Sequence, residues 1–185
     1  MPLNLIMMNK PTPFMLQANG FAQVKSDWFM LTLMNSQQTY IKNLNITDPP
    51  TGKSHADVAV DYLSKLRDAI YSVLRGSFDM DELHIQWWFA IPPVWDETGE
   101  AALRTSALLA GFIRGNHDDK ILFINEPVAC LLHCFNSFVL NPEPSDSFLI
   151  VVAGKATVEL ATYEVTKGHP FDLRQLTIPS GDSCG

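Results

Sequence analysis

The sequence predicts a mixed α/β fold in which one sheet is flanked by helices. Residues 83–91 and 121–124 are rich in branched and aromatic side chains, and each run is followed by a segment with helical spacing. Two further β-rich runs, residues 148–152 and 157–165, are separated by only four residues, as in a hairpin. Parallel strand-helix units followed by a hairpin predict a single mixed sheet.

Three helices are predicted from their start signals and their apolar periodicity. Ser54 is a suitable N-cap for a helix that stops near Gly76, and its apolar residues recur three and four positions apart. Asp96 is placed to cap a second helix, which carries a stripe of small and medium side chains. A third helix is predicted over residues 128–139 and ends before Pro142 and Pro144.

Composition limits the classes of partner. The chain has 185 residues, of which 46% are hydrophobic, enough for one core of domain size. The net charge is −7, with 13 basic against 20 acidic residues, so neither nucleic acid nor an anionic membrane is an expected partner. Three cysteines make no disulfide framework, which favours a reducing compartment, and we expect a cytoplasmic protein.

The first 20 residues differ from the rest of the sequence. They have no sustained hydrophobic period and are interrupted by Pro11 and Pro13, so residues 1–20 are predicted to be an irregular leader with no role in the fold. The folded part is predicted to be residues 21–185, beginning with a strand-like run at residues 24–34 and a polar loop at residues 35–54.

Four short motifs lie at or near the junctions of these elements. Residues 61–66 read Asp-Tyr-Leu-Ser-Lys-Leu within the first predicted helix. Residues 91–95 read Ile-Pro-Pro-Val-Trp, and Arg104 and Ala110-Gly111 follow in the next helix. Residues 124–129 read Ile-Asn-Glu-Pro-Val-Ala at a strand-to-helix junction. The hairpin region, residues 148–160, reads Phe-Leu-Ile-Val-Val-Ala-Gly-Lys-Ala-Thr-Val-Glu-Leu.

In this order the motifs resemble the ATPase domain of heat-shock-seventy (DnaK-like) chaperones, which belong to the actin-like ATPase superfamily, and especially its divergent fungal forms. The resemblance covers residues 28–185. It implies a ribonuclease-H-like fold in which residues 21–185 form a partial nucleotide-binding domain, mostly its first lobe. It also implies ATP or ADP with Mg²⁺ as the cofactor.

The resemblance assigns roles to six residues. Glu126 matches the family glutamate that helps to arrange metal-bound water and the attacking nucleophile. Glu159 matches the last carboxylate of the family's second phosphate hairpin and would contact magnesium through water. The phosphate-binding positions of that hairpin are occupied by Gly154, Lys155, Ala156 and Thr157.

The same hairpin departs from the family pattern, "VxDxGGGTxDL", at three positions. Val152 replaces the leading acid, and a valine cannot hold hydrated magnesium. Lys155 and Ala156 replace glycines, whose lack of a side chain lets backbone N–H groups approach phosphate. We therefore expect ATP binding to be weak or lost, with no independent hydrolysis.

Several alternative interpretations of these residues and of the lobe stay open. Glu126 also suits the first turn of a helix on electrostatic grounds alone, and Lys155 also suits a solvated hairpin tip. The lobe could serve as a protein-interaction scaffold, or belong to a competent ATPase completed by a longer parent chain or a partner. An incomplete lobe is expected to expose apolar surface and to bind protein partners or itself.

Two other motifs are better explained by structure than by chemistry. Thr51-Gly52-Lys53-Ser54 resembles the end of a phosphate-binding loop but lacks the leading glycine and a preceding strand. Cys130, His133 and Cys134 fall within about one helical turn, yet the cysteines lie in or beside the apolar stripe, which favours packing over metal binding.

Overall fold

The computed structural model describes residues 2–7, 14–15, 25–26, 32–33, 46, 48–115, 117–137, 140–154 and 157–183. The described part is mixed α/β, which confirms the predicted class. Its helices are α1 (His55–Leu74), α2 (Glu97–Leu109) and α3 (Glu126–Asn136). Its strands are β1 (Pro2–Met7), β2 (Phe14–Met15), β3 (Lys25–Ser26), β4 (His84–Ile91), β5 (Lys120–Asn125), β6 (Ser147–Ala153), β7 (Thr157–Lys167), β8 (Asp172–Gln175) and β9 (Ser180–Ser183).

The described strands form separate sheets rather than the single mixed sheet predicted. One sheet has the order β1-β4-β5, and β1 runs parallel to β4. In the other, β7 pairs antiparallel with β6, with β8 and with β9. Strands β2 and β3 form an antiparallel pair of their own. The hairpin was predicted from local sequence. The assignment of strands to separate sheets depends on contacts between distant residues, which local sequence does not show.

The chain divides into two compact units, each with its own apolar interior. The first comprises Met1–Gln37, Asn45–Phe89 and Asp96–Phe123, and the second comprises Gln38–Leu44, Ala90–Trp95 and Ile124–Gly185. In the first unit the indole of Trp87 is fully buried and meets Phe112 edge to face, with ring centroids 4.7 Å apart. This aromatic contact joins the centre of β4 to the segment that follows α2.

Both predicted cap residues begin their helices. Ser54 accepts a hydrogen bond from the backbone N–H of Asp57, whose carboxylate accepts one from the backbone N–H of Ser54, and together they form a capping box for α1. Asp96 accepts a hydrogen bond from the backbone N–H of Gly99 at the start of α2. These local contacts explain why the helix starts were predictable from sequence.

A buried ion pair fixes the loops around β4 and β5. The side chain of Asp119 is fully buried and accepts hydrogen bonds from Arg114 Nε at 2.6 Å and Nη2 at 2.8 Å. Arg114 Nη2 also donates to the carbonyl of Leu83, and the backbone N–H of Ile85 donates to Asp119. Burial acts to raise the pKa of Asp119, but these hydrogen bonds outweigh it and the pKa is lowered.

The second unit is built on the contact between α3 and one face of the β6-β7-β8 sheet. Leu131 and Phe135 of α3 pack on buried residues of β7. The alternation of a strand puts Ala161, Tyr163 and Val165 on this face and leaves the intervening residues on the other. Phe148 and Ile150 of β6 extend the same interior.

Segments near both ends of the described chain form strands. Residues 1–20 were predicted to be an irregular leader, but Pro2–Met7 is a strand in register with His84–Phe89 of β4. A short apolar run is enough for a strand in a parallel sheet, and its partner is 82 positions away in sequence. Residues 180–183 form β9. The predicted strand at residues 24–34 falls mostly outside the described residues, apart from β3 and a short 3₁₀ turn at Thr32 and Leu33.

Within the described part of the chain, none of the helices combines the length and the apolar composition needed to span a bilayer.

Candidate functional site: two coupled glutamates

Glu126 is placed by the junction between β5 and α3. It is the first residue of the helix, and Asn125 before it has extended backbone but makes no side-chain cap hydrogen bond. Pro127 in the first turn needs no backbone N–H partner there, which favours the helix start at this point. The carboxyl of Glu126 is half-buried, and this burial raises its pKa.

Glu159 is placed by the register of the second unit's sheet. It lies on β7 between two neighbours, opposite Val152 of β6 on one side and Gly181 of β9 on the other. Its side chain shares the face of β7 that also carries Ala161 and Tyr163, so it points away from solvent and is only 4% exposed. A carboxylic acid is rarely buried to this degree without a partner.

The electrostatic state of Glu159 is unusual for a glutamate. Its Oε2 is buried and has no hydrogen-bond partner among the residues that the structure describes. Burial, and then the charge of Glu126, raise the pKa of Glu159 to about 7. Burial and the negative charge of Glu126 both disfavour the ionised form of Glu159, so the two carboxyls are electrostatically coupled.

Gly181 makes room for this buried acid. A Cβ atom at Gly181 would lie 3.1 Å from Cγ of Glu159 and 3.3 Å from the carbonyl oxygen of Val158. The close approach of β9 to the Glu159 side chain thus depends on the missing side chain at position 181.

The remaining hairpin residues are only partly described. Gly154 is exposed at the end of β6, and Thr157 begins β7 and is paired in register with Ser183. Lys155 and Ala156 lie outside the described residues. The structure thus places Glu126 and Glu159 in the same compact unit, where the charge of Glu126 contributes to the raised pKa of Glu159.

Val152 determines how well this site suits magnesium. It is half-buried and stands directly opposite Glu159, at the position where the family resemblance expects an acid. The described residues contain no group of three or more histidine, cysteine, aspartate or glutamate side chains able to hold a metal ion. Two carboxyls, one of which has a pKa of about 7, are a poor ligand set for a hydrated divalent cation.

The residues of the cysteine motif and of the phosphate-loop-like motif lie in surroundings that favour structural roles. Cys130 and Cys134 are half-buried on α3, and burial, with smaller effects of Glu126 and Cys134, raises the pKa of Cys130. A raised pKa disfavours the thiolate, the form that binds metals. At the other motif, Lys53 pairs with Asp61 while Ser54 caps α1, so both residues have structural partners.

Comparison with known proteins gives no independent assignment: no family model matches the sequence, and no curated protein matches it.

Proposed function

We propose that this chain is a degenerate nucleotide-binding module of heat-shock-seventy type, with a ribonuclease-H-like fold, that binds ATP weakly or not at all and does not hydrolyse it alone. The observation that carries the proposal is the placement of Glu126 at the start of α3 and of Glu159 on β7, where the charge of Glu126 adds to burial in raising the pKa of Glu159. These are the two acidic positions that the resemblance retains, they lie 33 residues apart in sequence, and they interact electrostatically in the second unit.

The same two glutamates support the proposal that the chain does not hydrolyse ATP alone. A working centre of this kind holds Mg²⁺ through water with carboxylates and approaches phosphate with glycine N–H groups. Here Val152 faces Glu159 across the strand pair and supplies no carboxylate. Because Glu159 has a pKa of about 7, only part of the population carries an ionised Glu159 at neutral pH. Completion by a longer parent chain or a partner would leave Val152 in place, which disfavours the competent-ATPase alternative.

The test is to restore the missing chemistry. In calorimetric titrations of Mg-ATP, the unmodified chain should show no saturation below about 1 mM, which corresponds to a free energy of binding of about −4 kcal/mol. A triple variant, Val152→Asp with Lys155→Gly and Ala156→Gly, should bind at least about tenfold more tightly, since about 1.4 kcal/mol is one strong new contact.

Two controls make the result specific. Adding Glu126→Gln to the triple variant should remove the gain, because it removes the carboxylate that the resemblance assigns to arranging metal-bound water. Val151→Asp places an acid one residue away on the opposite face of β6, so it should leave ATP binding unchanged. A triple variant with no gain, or an unmodified chain that releases phosphate from ATP in a Glu126-dependent manner, would contradict the proposal.

A second candidate function is a protein-interaction scaffold on the same lobe. It is favoured by the exposed apolar side chains on the sheet face that α3 does not cover, where Leu149 is 63%, Val151 55% and Leu160 39% exposed. Contiguous exposed apolar residues of this kind are typical of interaction surfaces. Failure of the restored variant to bind nucleotide would favour this candidate over the first.

A further inference from the structure

Strand β6 has one free edge in the described part of the chain. It pairs with β7 on one side and stands at the end of the order β6-β7-β8. The backbone N–H of Leu176 donates to the carbonyl of Thr162 at 2.9 Å, so Thr162 directs its backbone groups away from β6. The adjacent residues of β7, Ala161 and Tyr163, direct their backbone N–H and C=O groups toward Ile150 and Phe148 of β6. By the same alternation, Leu149 and Val151 direct their N–H and C=O groups outward from the free edge.

The sequence of β6 has no feature that would prevent its free edge from pairing with another strand. Residues 147–153 read Ser-Phe-Leu-Ile-Val-Val-Ala, with no charge, no proline and no glycine. Natural edge strands usually carry lysine, proline or a bulge that prevents pairing with another chain. The outward-directed residues Leu149 and Val151 are also the exposed apolar ones, so backbone bonding capacity and apolar surface coincide at this edge.

We propose that β6 pairs antiparallel with β6 of a second copy of this chain, about a two-fold axis at Ile150. In this register Leu149 of one copy stands opposite Val151 of the other, and both contribute N–H donors and C=O acceptors across the new edge. Their side chains come within about 5.5 Å of each other, which is the spacing of favourable cross-strand apolar pairs. Val151 is already paired with Leu160 of its own copy, so the exposed apolar residues of both copies become continuous.

Charge selects this partner and this direction. Asp146 precedes the strand and is exposed, while the strand itself is uncharged. A parallel in-register pair would bring the two Asp146 side chains together, and like charges directly opposite are destabilising. The antiparallel register separates them by eight positions, or about 27 Å at 3.4 Å per residue. The strand is therefore complementary to itself in one direction only. This inference is independent of whether the chain binds nucleotide.

The test combines association and local amide protection. Sedimentation equilibrium of the unmodified chain should show a concentration-dependent dimer. In hydrogen exchange followed by NMR, the amides of Leu149 and Val151 should become protected as the dimer forms, whereas the amide of Ile150, bonded to β7, should be protected in both states.

Two variants and one control test the edge. Val151→Pro removes an outward N–H without removing a bond to β7, and Leu149→Lys places a charge on the edge. Each should raise the dimer dissociation constant at least about tenfold, or 1.4 kcal/mol. Ile178→Ser removes a 91% exposed apolar side chain away from β6 and should leave the dimer unchanged.

Three results would overturn the proposal. A chain that stays monomeric up to about 1 mM, a limit of about −4 kcal/mol for association, has no such edge contact. Dimerisation without protection of the Leu149 and Val151 amides would place the interface elsewhere. Val151→Pro dimerising as tightly as the unmodified chain, with an unchanged circular dichroism spectrum, would exclude edge pairing even if the Leu149→Lys variant failed to fold.

Discussion

Val152 of β6 stands directly opposite Glu159 of β7, so an aliphatic side chain faces a carboxyl whose Oε2 has no hydrogen-bond partner in the described part of the chain. An ionised carboxylate in such a place loses hydration without gaining a compensating contact. The folded chain responds by favouring the protonated form of Glu159, and Glu126 adds to this effect through its charge. Four predictions follow from this relationship and from the contacts that support each unit.

The stability of the second unit should depend on pH through Glu159. An unfolded glutamate ionises near 4.5, whereas Glu159 in the folded chain has a pKa of about 7. Its contribution to stability is therefore complete below about pH 4.5, falls as pH rises to about 7, and is constant above that. The loss is at most about 3 kcal/mol, from about 1.4 kcal/mol per pKa unit.

Urea unfolding at pH 5 and pH 8 measures this effect. Glu159→Gln should be less sensitive to the change of pH than the unmodified chain, because the amide does not titrate. Glu164→Gln is the matched control, since Glu164 lies on the same strand but on the opposite face and pairs with Arg174. Equal pH dependence in the Glu159→Gln variant and the unmodified chain would contradict a buried, titrating Glu159.

Gly181→Ala should disturb Glu159 in particular. The added Cβ would lie 3.1 Å from Cγ of Glu159, so the glutamate or β9 must move. We expect a loss of stability of about 1–3 kcal/mol, as for overpacking elsewhere, and a change in the NMR titration of the Glu159 carboxyl. Gly168→Ala is the control because a Cβ there meets nothing within 4 Å. An unchanged Glu159 titration in Gly181→Ala would show that the contact does not constrain the acid.

Arg114→Ala should strongly destabilise the first unit. It leaves the fully buried carboxylate of Asp119 without its cation, and breaking a buried pair costs about 3–5 kcal/mol. The double variant Arg114→Met with Asp119→Leu should be less destabilised than Arg114→Ala, since no charge is left unpaired. The matched exposed pair is Arg174 with Glu164, where Arg174→Ala should cost less than about 1 kcal/mol. Similar losses for the two arginine variants would refute a special role for the buried pair.

Gly111→Ala should destabilise the end of α2. Gly111 has a φ of 78°, which disfavours a side chain, and an added Cβ would press against the guanidinium of Arg67. That guanidinium donates to the carbonyl of Ala110 and so joins α1 to the end of α2. We expect a loss of at least about 1 kcal/mol in thermal or urea unfolding. Gly115→Ala, with open space around its Cβ, is the control, and an equal effect of the two substitutions would contradict this account.

Local signals in the sequence were enough for much of the secondary structure. The caps at Ser54 and Asp96 and the apolar periods of α1 and α2 act over three or four residues, so these helices were predictable. The β-rich run preceding Pro92 and the hairpin runs were likewise predicted and match β4, β6 and β7. The ribonuclease-H-like fold and the nucleotide chemistry come from motif resemblance and stay predictions.

Other features could not be predicted because they depend on distant residues. The strand β1 was missed since only its partner β4, far along the chain, satisfies its backbone groups. The role of Gly181 depends on its position opposite Glu159, which no local pattern encodes. The division of the strands into separate sheets has the same cause.

The sequence by itself determined where α1 and α2 begin and that the run before Pro92 and the two hairpin runs become strands, because each of these depends on neighbouring residues. Only the tertiary structure decided that Glu126 raises the pKa of Glu159, that Val152 and Gly181 flank this acid, and that β6 presents an uncharged edge. Burial and the distance between charges set a carboxyl's pKa, and both exist only once separate elements have packed.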